Sequence, residues 1–220
     1  MTREKMMRYG GPAAILGGVM HVLAFVAVYL IYFAFAEEAK HAFFGQHAFI
    51  HIIDVAMFAL LAAGATGVYL SQSGRLGRIA KAGFFLTLAG FGLGVVGGLT
   101  IIVVGLAISD EATLGVLDIV AHPLAQVLYT LGSAVFGVAL FRKGTLPKLG
   151  ALLVAVGPAA LFALFMTGNQ QAFVPITATV VATGLGWAVL GCGLLGRRVS
   201  SETPPAVEGE DLTRSAHPAA

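Results

Sequence analysis

The chain has 220 residues, of which 58% are hydrophobic and only 11% charged, and its mean hydropathy is +0.89. That balance is far from the roughly 25% charged residues of a soluble domain and points to a membrane chain. The formal charge of +2 comes from basic residues spread over short loops, without a long basic patch or interleaved aromatics, so nucleic-acid binding is not indicated. A single cysteine, Cys192, excludes an internal disulfide, a CxxC redox pair and a cysteine zinc site.

A helix needs about 20 apolar residues to cross roughly 30 Å of hydrocarbon. The first such run covers 12–36 and follows Arg3, Lys5 and Arg8. Its start, "TREKMMR", and its end, "FAFAEE", imitate a secretory signal, with cleavage after Ala36 as the alternative reading. The apolar stretch is much longer than the 7–15 residues of a signal core, so it is read as a span. Within it His21 is followed by Phe25, Tyr29 and Tyr32 at helical spacing. Counted from the outer end of the run, His21 is expected about 22 Å deep, far below the next histidines in the chain.

The second span, 48–70, opens on "HAFFGQHAFIHIID" (41–54). His47, His51 and Asp54 stand at i, i+4 and i+7, which places all three on one helical face. After a loop carrying Arg75, Arg78 and Lys81 comes the third span, 80–108, long enough to need tilt. Gly90, Gly94 and Gly98 recur in it every four residues, a spacing that lets helix backbones approach closely in lipid; packing inside the bundle is the preferred reading over a dimer seam.

The fourth span, 119–141, begins beside Asp118 and continues a polar stripe through His122, Gln126, Tyr129 and Ser133. Pro123 falls in its first turns, where a missing N–H is tolerated. Arg142, Lys143 and Lys148 lead into the fifth span, 149–167, where Pro158 predicts a kink. The sixth span, 174–195, is again rich in glycine, with Thr179 and Thr183 placed to bond carbonyls of their own helix and Trp187 read as packing. Arg197 and Arg198 follow it. The tail from 199 to 220 has no apolar period and is expected to be disordered.

The connectors alternate. Basic residues gather before span one, between spans two and three, between spans four and five, and after span six. The other side holds Lys40 with Glu37, Glu38, Asp110, Glu111 and the neutral "GNQQAF" at 168–173. By the positive-inside rule both termini are cytoplasmic. The fold expected is an all-α, six-helix polytopic membrane domain over residues 1–198, multi-pass in a cytoplasmic membrane.

Ionisable groups inside a bilayer are costly and tend to be paired and functional. His51, Asp54, Asp118, His122, Gln126 and Tyr129 are therefore read as an outward-facing polar pocket of the second and fourth spans. Four readings stand open. The cluster is a satisfied hydrogen-bond network, or a proton or cation path in which histidines exchange charge near neutral pH beside carboxylates, or a divalent-metal site, or a b-type haem site. Metal or haem would draw on His47, His51 and His122. The HxxxH spacing of His47 and His51 lacks the glutamate of the zinc-protease motif, and His21 supplies no second histidine pair for transmembrane electron transfer.

No nucleophile arrangement is present: Ser71, Ser73, Ser200 and Ser201 lie on the basic side, and no G-x-S-x-G occurs. "GGLTIIVVG" (97–105) lacks the Lys-Ser/Thr end of a phosphate loop. An enzyme is thus the less favoured class. The expected function is handling of a proton, cation or small solute; the alternatives are a haem b redox subunit and a non-catalytic accessory subunit of a membrane complex. Expected partners are the lipid bilayer and a membrane protein or a second copy of the chain.

Two hairpins, "GVYLSQSGRLGRIAKAGFFLTLAGFGLG" (67–94) and "GVALFRKGTLPKLGALLVAVGPAAL" (137–161), resemble uncharacterised bacterial six-helix integral membrane proteins. The likeness covers about a quarter of the chain. It implies six helices and a bacterial plasma membrane, and it carries over no functional residue, because the histidines lie outside the matching stretches.

Overall fold

In a computed structural model of the chain, residues 3–34, 47–108, 111–168 and 173–202 are described, with side chains over 4–26, 51–104, 123–168 and 174–197. Six α-helices account for nearly all of them: α1 (Arg3–Ala34), α2 (His47–Gln72), α3 (Arg78–Ile108), α4 (Glu111–Lys143), α5 (Lys148–Met166) and α6 (Phe173–Glu202). Each contains a window long and apolar enough to cross a membrane. Most helix ends fall within two residues of the apolar runs, but α1 and α4 begin nine and eight residues before theirs and α6 ends seven after, because polar turns add hydrogen-bonded residues without adding hydrophobicity; Asp118 thus lies within α4 rather than at its start. In α6 the helix continues through 199–202, the start of the expected tail.

Short loops join the helices at the basic end. Gln72 closes α2, its carbonyl accepting from the Arg75 and Leu76 amides at 2.9 and 3.2 Å. At the other end α5 stops at Met166, and two residues on Gly168 takes a left-handed φ of 72° that a side chain would resist. Pro158 lies inside α5, and the helix runs continuously through it from Lys148 to Met166. Thr183 Oγ1 donates to the Thr179 carbonyl at 2.8 Å, and Thr179 Oγ1 to that of Ile176 at 2.7 Å, the back-bonding expected from the sequence.

Each helix packs on its neighbours in sequence, and α6 returns to pack on α1, so the six form a closed ring; α2 and α6 also touch across the interior. Small residues set the seams. A methyl added to Gly10 would fall 2.5 Å from the Gly67 α-carbon, and one added to Gly18 would meet the Gly184 carbonyl. Gly90 abuts the backbone of Ala125 and Tyr129 in α4, whereas Gly94 and Gly98 receive Phe58 and Val55 of α2. The four-residue glycine stripe thus serves two neighbours, one on each side of α3.

Inside the ring Phe91 of α3 gathers three helices, with ring centroids 6.1 Å from Phe58, 4.9 Å from Tyr129 and 5.9 Å from Trp187. Towards the basic end the interior is filled by buried Leu61, Val68, Phe136, Leu140 and Leu190. The outside is apolar as well, with Leu23, Val96, Val103, Leu131 and Val156 all exposed.

Candidate functional site

The α1–α2 seam fixes the depth of its polar residues. Gly10 meets Gly67, Gly64 meets Ala14, and Gly17 meets Leu61, so each step along α1 is matched by a step back along α2. His21 stands one turn beyond Gly17, level with Met57. Asp54 lies three residues further along α2, about 5 Å away along the axis. Asp54, Leu61 and Gly64 fall on one helical face, the face that meets α1.

Asp54 and His51 are both half-buried, and both are engaged by partners. His21 is buried, and its Nε2 atom completes no hydrogen bond among the described residues. This corrects the depth expected for His21. Register puts it six residues below His51, only about 9 Å, a much smaller gap than counting from the span ends implies. The reason is geometric: α1 overshoots the level at which α2 begins, so the ends of two packed helices are poor markers of relative depth.

Tyr129 lies deeper. It packs beside Gly90, and through the α2–α3 seam this is the level of Ala62, about 12 Å below Asp54. The residue is buried against Phe91, with its hydroxyl directed towards Trp187 and Thr183. Neither Tyr129 Oη nor Trp187 Nε1 completes a hydrogen bond among the described residues, and Thr183 Oγ1 is already committed to Thr179. Gln126, half-buried one turn earlier, donates from Nε2 to Thr130 Oγ1 at 3.3 Å.

The side chains of His47, Asp118 and His122 lie outside the described residues. α3 stands between α2 and α4 on one side of the ring, and among the described residues the extensive seams of each are with α3. No three His, Cys, Asp or Glu side chains of the described residues come together as a metal would require.

The structure adds His21, Trp187 and Thr183 to the polar interior. From the sequence His21 stands apart from the pocket, Trp187 is packing, and Thr183 only bonds back to its own helix. A signal was present: Gly10, Ala14, Gly17 and His21 follow one another at three- and four-residue steps, and a small-residue stripe that ends in a histidine places that histidine on a tight seam. The arrangement is a carboxyl group with an imidazole one turn deeper and a tyrosine hydroxyl and indole N–H below, closed towards the basic end by aliphatic and aromatic side chains. No protein-family model, curated protein or solved structure matches the chain.

Proposed function

We propose that the chain is an integral protein of a bacterial cytoplasmic membrane, with both termini cytoplasmic, that accepts a proton, cation or small polar solute from the non-cytoplasmic side. The observation that carries the reading is the register of the α1–α2 seam, which brings Asp54 and His21 to within about one helical turn in depth inside apolar spans. A carboxyl and an imidazole inside a bilayer cost several kcal/mol unless they are paired or hydrated, and such groups mark ion and proton routes. Orientation is supported by the charge pattern: the basic loops all lie at one end of the ring. Direction of access is supported by the packing, because buried Val68, Phe136 and Leu140 lie between Tyr129 and that basic end, and the buried hydroxyls of Thr87 and Ser133 there are turned back onto carbonyls of their own helices.

In this reading Asp54 holds charge at the entrance, with His51 beside it and Asp118 and His122 contributed by α4. His21 exchanges a proton or donates a hydrogen bond to a bound solute. Gln126 and Tyr129 continue the route inward as far as Val68, Phe136 and Leu140. The test is proton and monovalent-cation uptake into proteoliposomes holding a pH-sensitive or cation-sensitive dye, with an imposed gradient. The expected result is uptake above that of empty liposomes that is largely lost in Asp54→Asn. Uptake equal to empty liposomes, or a variant as active as the native chain, overturns the reading. A Soret band in the purified protein overturns it in favour of a haem-binding redox subunit.

A further inference from the structure

A groove of about 720 Å³ lies between the basic ends of α3 and α4. Its origin is in the register of the pair. Gly83 presses on the Phe136 backbone, bringing the helices close, and one turn nearer the end only Ala80 and Ala139 stand at the crossing. Small side chains leave a gap between two helices that stay apposed. The floor is apolar, built from Ala80, Ala134, Val135 and Val138, and the mouth carries Arg78, Arg142 and Lys143.

The three cations at the mouth are free to meet a ligand. All are exposed, and none of their side chains makes a hydrogen bond or ion pair among the described residues. The segments 71–82 and 141–150 contain no acidic residue to neutralise them. A second groove of about 630 Å³ at the same end provides the contrast. There Lys148 Nζ donates to the carbonyls of Phe141 and Gly144, and Arg197 donates to the carbonyl of Thr145, so its cations are already engaged.

We propose that the α3–α4 groove binds an anionic phospholipid of the cytoplasmic leaflet, with Arg78, Arg142 and Lys143 around the phosphate and an acyl chain lying along Ala80, Ala134, Val135 and Val138. Charge complementarity selects the occupant: a cationic mouth over an apolar floor matches a molecule with an anionic head and a hydrocarbon tail. The groove volume falls within the roughly 300–1,000 Å³ of clefts that hold small molecules. Its place between two spans, at the end where basic residues gather, is where anionic lipid head groups are bound. The inference rests on the membrane reading above but not on the polar interior.

The experiment is native mass spectrometry and thermal unfolding of the full chain in neutral detergent, titrated with dioleoylphosphatidylglycerol, dioleoylphosphatidylcholine or inorganic phosphate. The expected result is retained phosphatidylglycerol with a raised unfolding temperature, little effect of phosphatidylcholine, and little of phosphate. Replacing Arg78, Arg142 and Lys143 by glutamine should weaken phosphatidylglycerol binding about five-fold per cation. Arg75→Gln, which removes a cation outside the groove, should leave it unchanged. Val138→Trp, which fills the floor with the charges intact, should also weaken it. Equal binding of the two lipids, equal stabilisation by phosphate alone, or a triple glutamine variant that binds like the native chain overturns the proposal. A chain that is soluble without detergent fails the membrane reading instead, and is distinguished before any lipid is added.

Discussion

Gly67 and Gly92 are both interior residues of apolar helices, yet a methyl group has opposite consequences at the two. At Gly67 it would sit 2.5 Å from the Gly10 α-carbon, and backbone cannot rotate out of the way; at Gly92 nothing lies within 4 Å. Gly67→Ala should therefore destabilise the bundle by about 1–3 kcal/mol, the usual cost of overpacking. Gly92→Ala should be neutral or stabilising by up to about 1 kcal/mol through helix propensity. Thermal unfolding of the two variants in detergent checks the pair, and a loss of equal size in both would mean that the seam does not control stability. His21 belongs to the same seam. Its Nε2 atom is sealed by the close approach of the same two helices, so loosening the seam at Gly67 should also expose the imidazole.

At the level of elements, the basic end of α2 is tied to the α4–α5 loop by one side chain. Gln72 is buried, and its Oε1 accepts from the Thr145 amide at 2.9 Å and from the Thr145 hydroxyl at 3.1 Å. Gln72→Leu keeps the volume and removes both bonds, with an expected loss of about 1 kcal/mol. The sharper readout is trypsin, since Arg142, Lys143 and Lys148 flank that loop and should be cleaved faster once it is released; unchanged cleavage would leave Gln72 as mere filling. The helices themselves were legible in the sequence, because each is an apolar run bounded by charge or by a turn residue. Their neighbours were not. That Gly90 faces α4 while Gly94 and Gly98 face α2 depends on where α3 sits, and a spacing of four cannot state it. The pairing of His21 with the level of Met57 depends on contacts between glycines far apart in the chain, which span lengths do not encode.

For the whole molecule the apolar exterior is the telling surface. Cys192 is exposed within the span Val174–Arg197 of α6, a natural probe of what surrounds the bundle. In liposomes its thiol, kept from the water that would ionise it, should react slowly with N-ethylmaleimide and not with a sulfonated maleimide, whereas fast reaction with both would place that face in water. Alkaline phosphatase joined after residue 40 should be active and a fluorescent protein joined at residue 220 should fluoresce; the reverse pattern would invert the orientation read from the basic loops. The six long apolar helices were readable in advance, since hydropathy is a property of composition, while ring closure was not, because it joins the first helix to the last. That closure also sets a clock. Gly11 lies against Gly191, 180 residues later in the chain, so at ordinary rates of synthesis α1 waits roughly 10–40 s for the partner that covers its second face. During that interval its glycine notch is open to any passing helix, which makes the half-made chain the form most exposed to quality-control proteases.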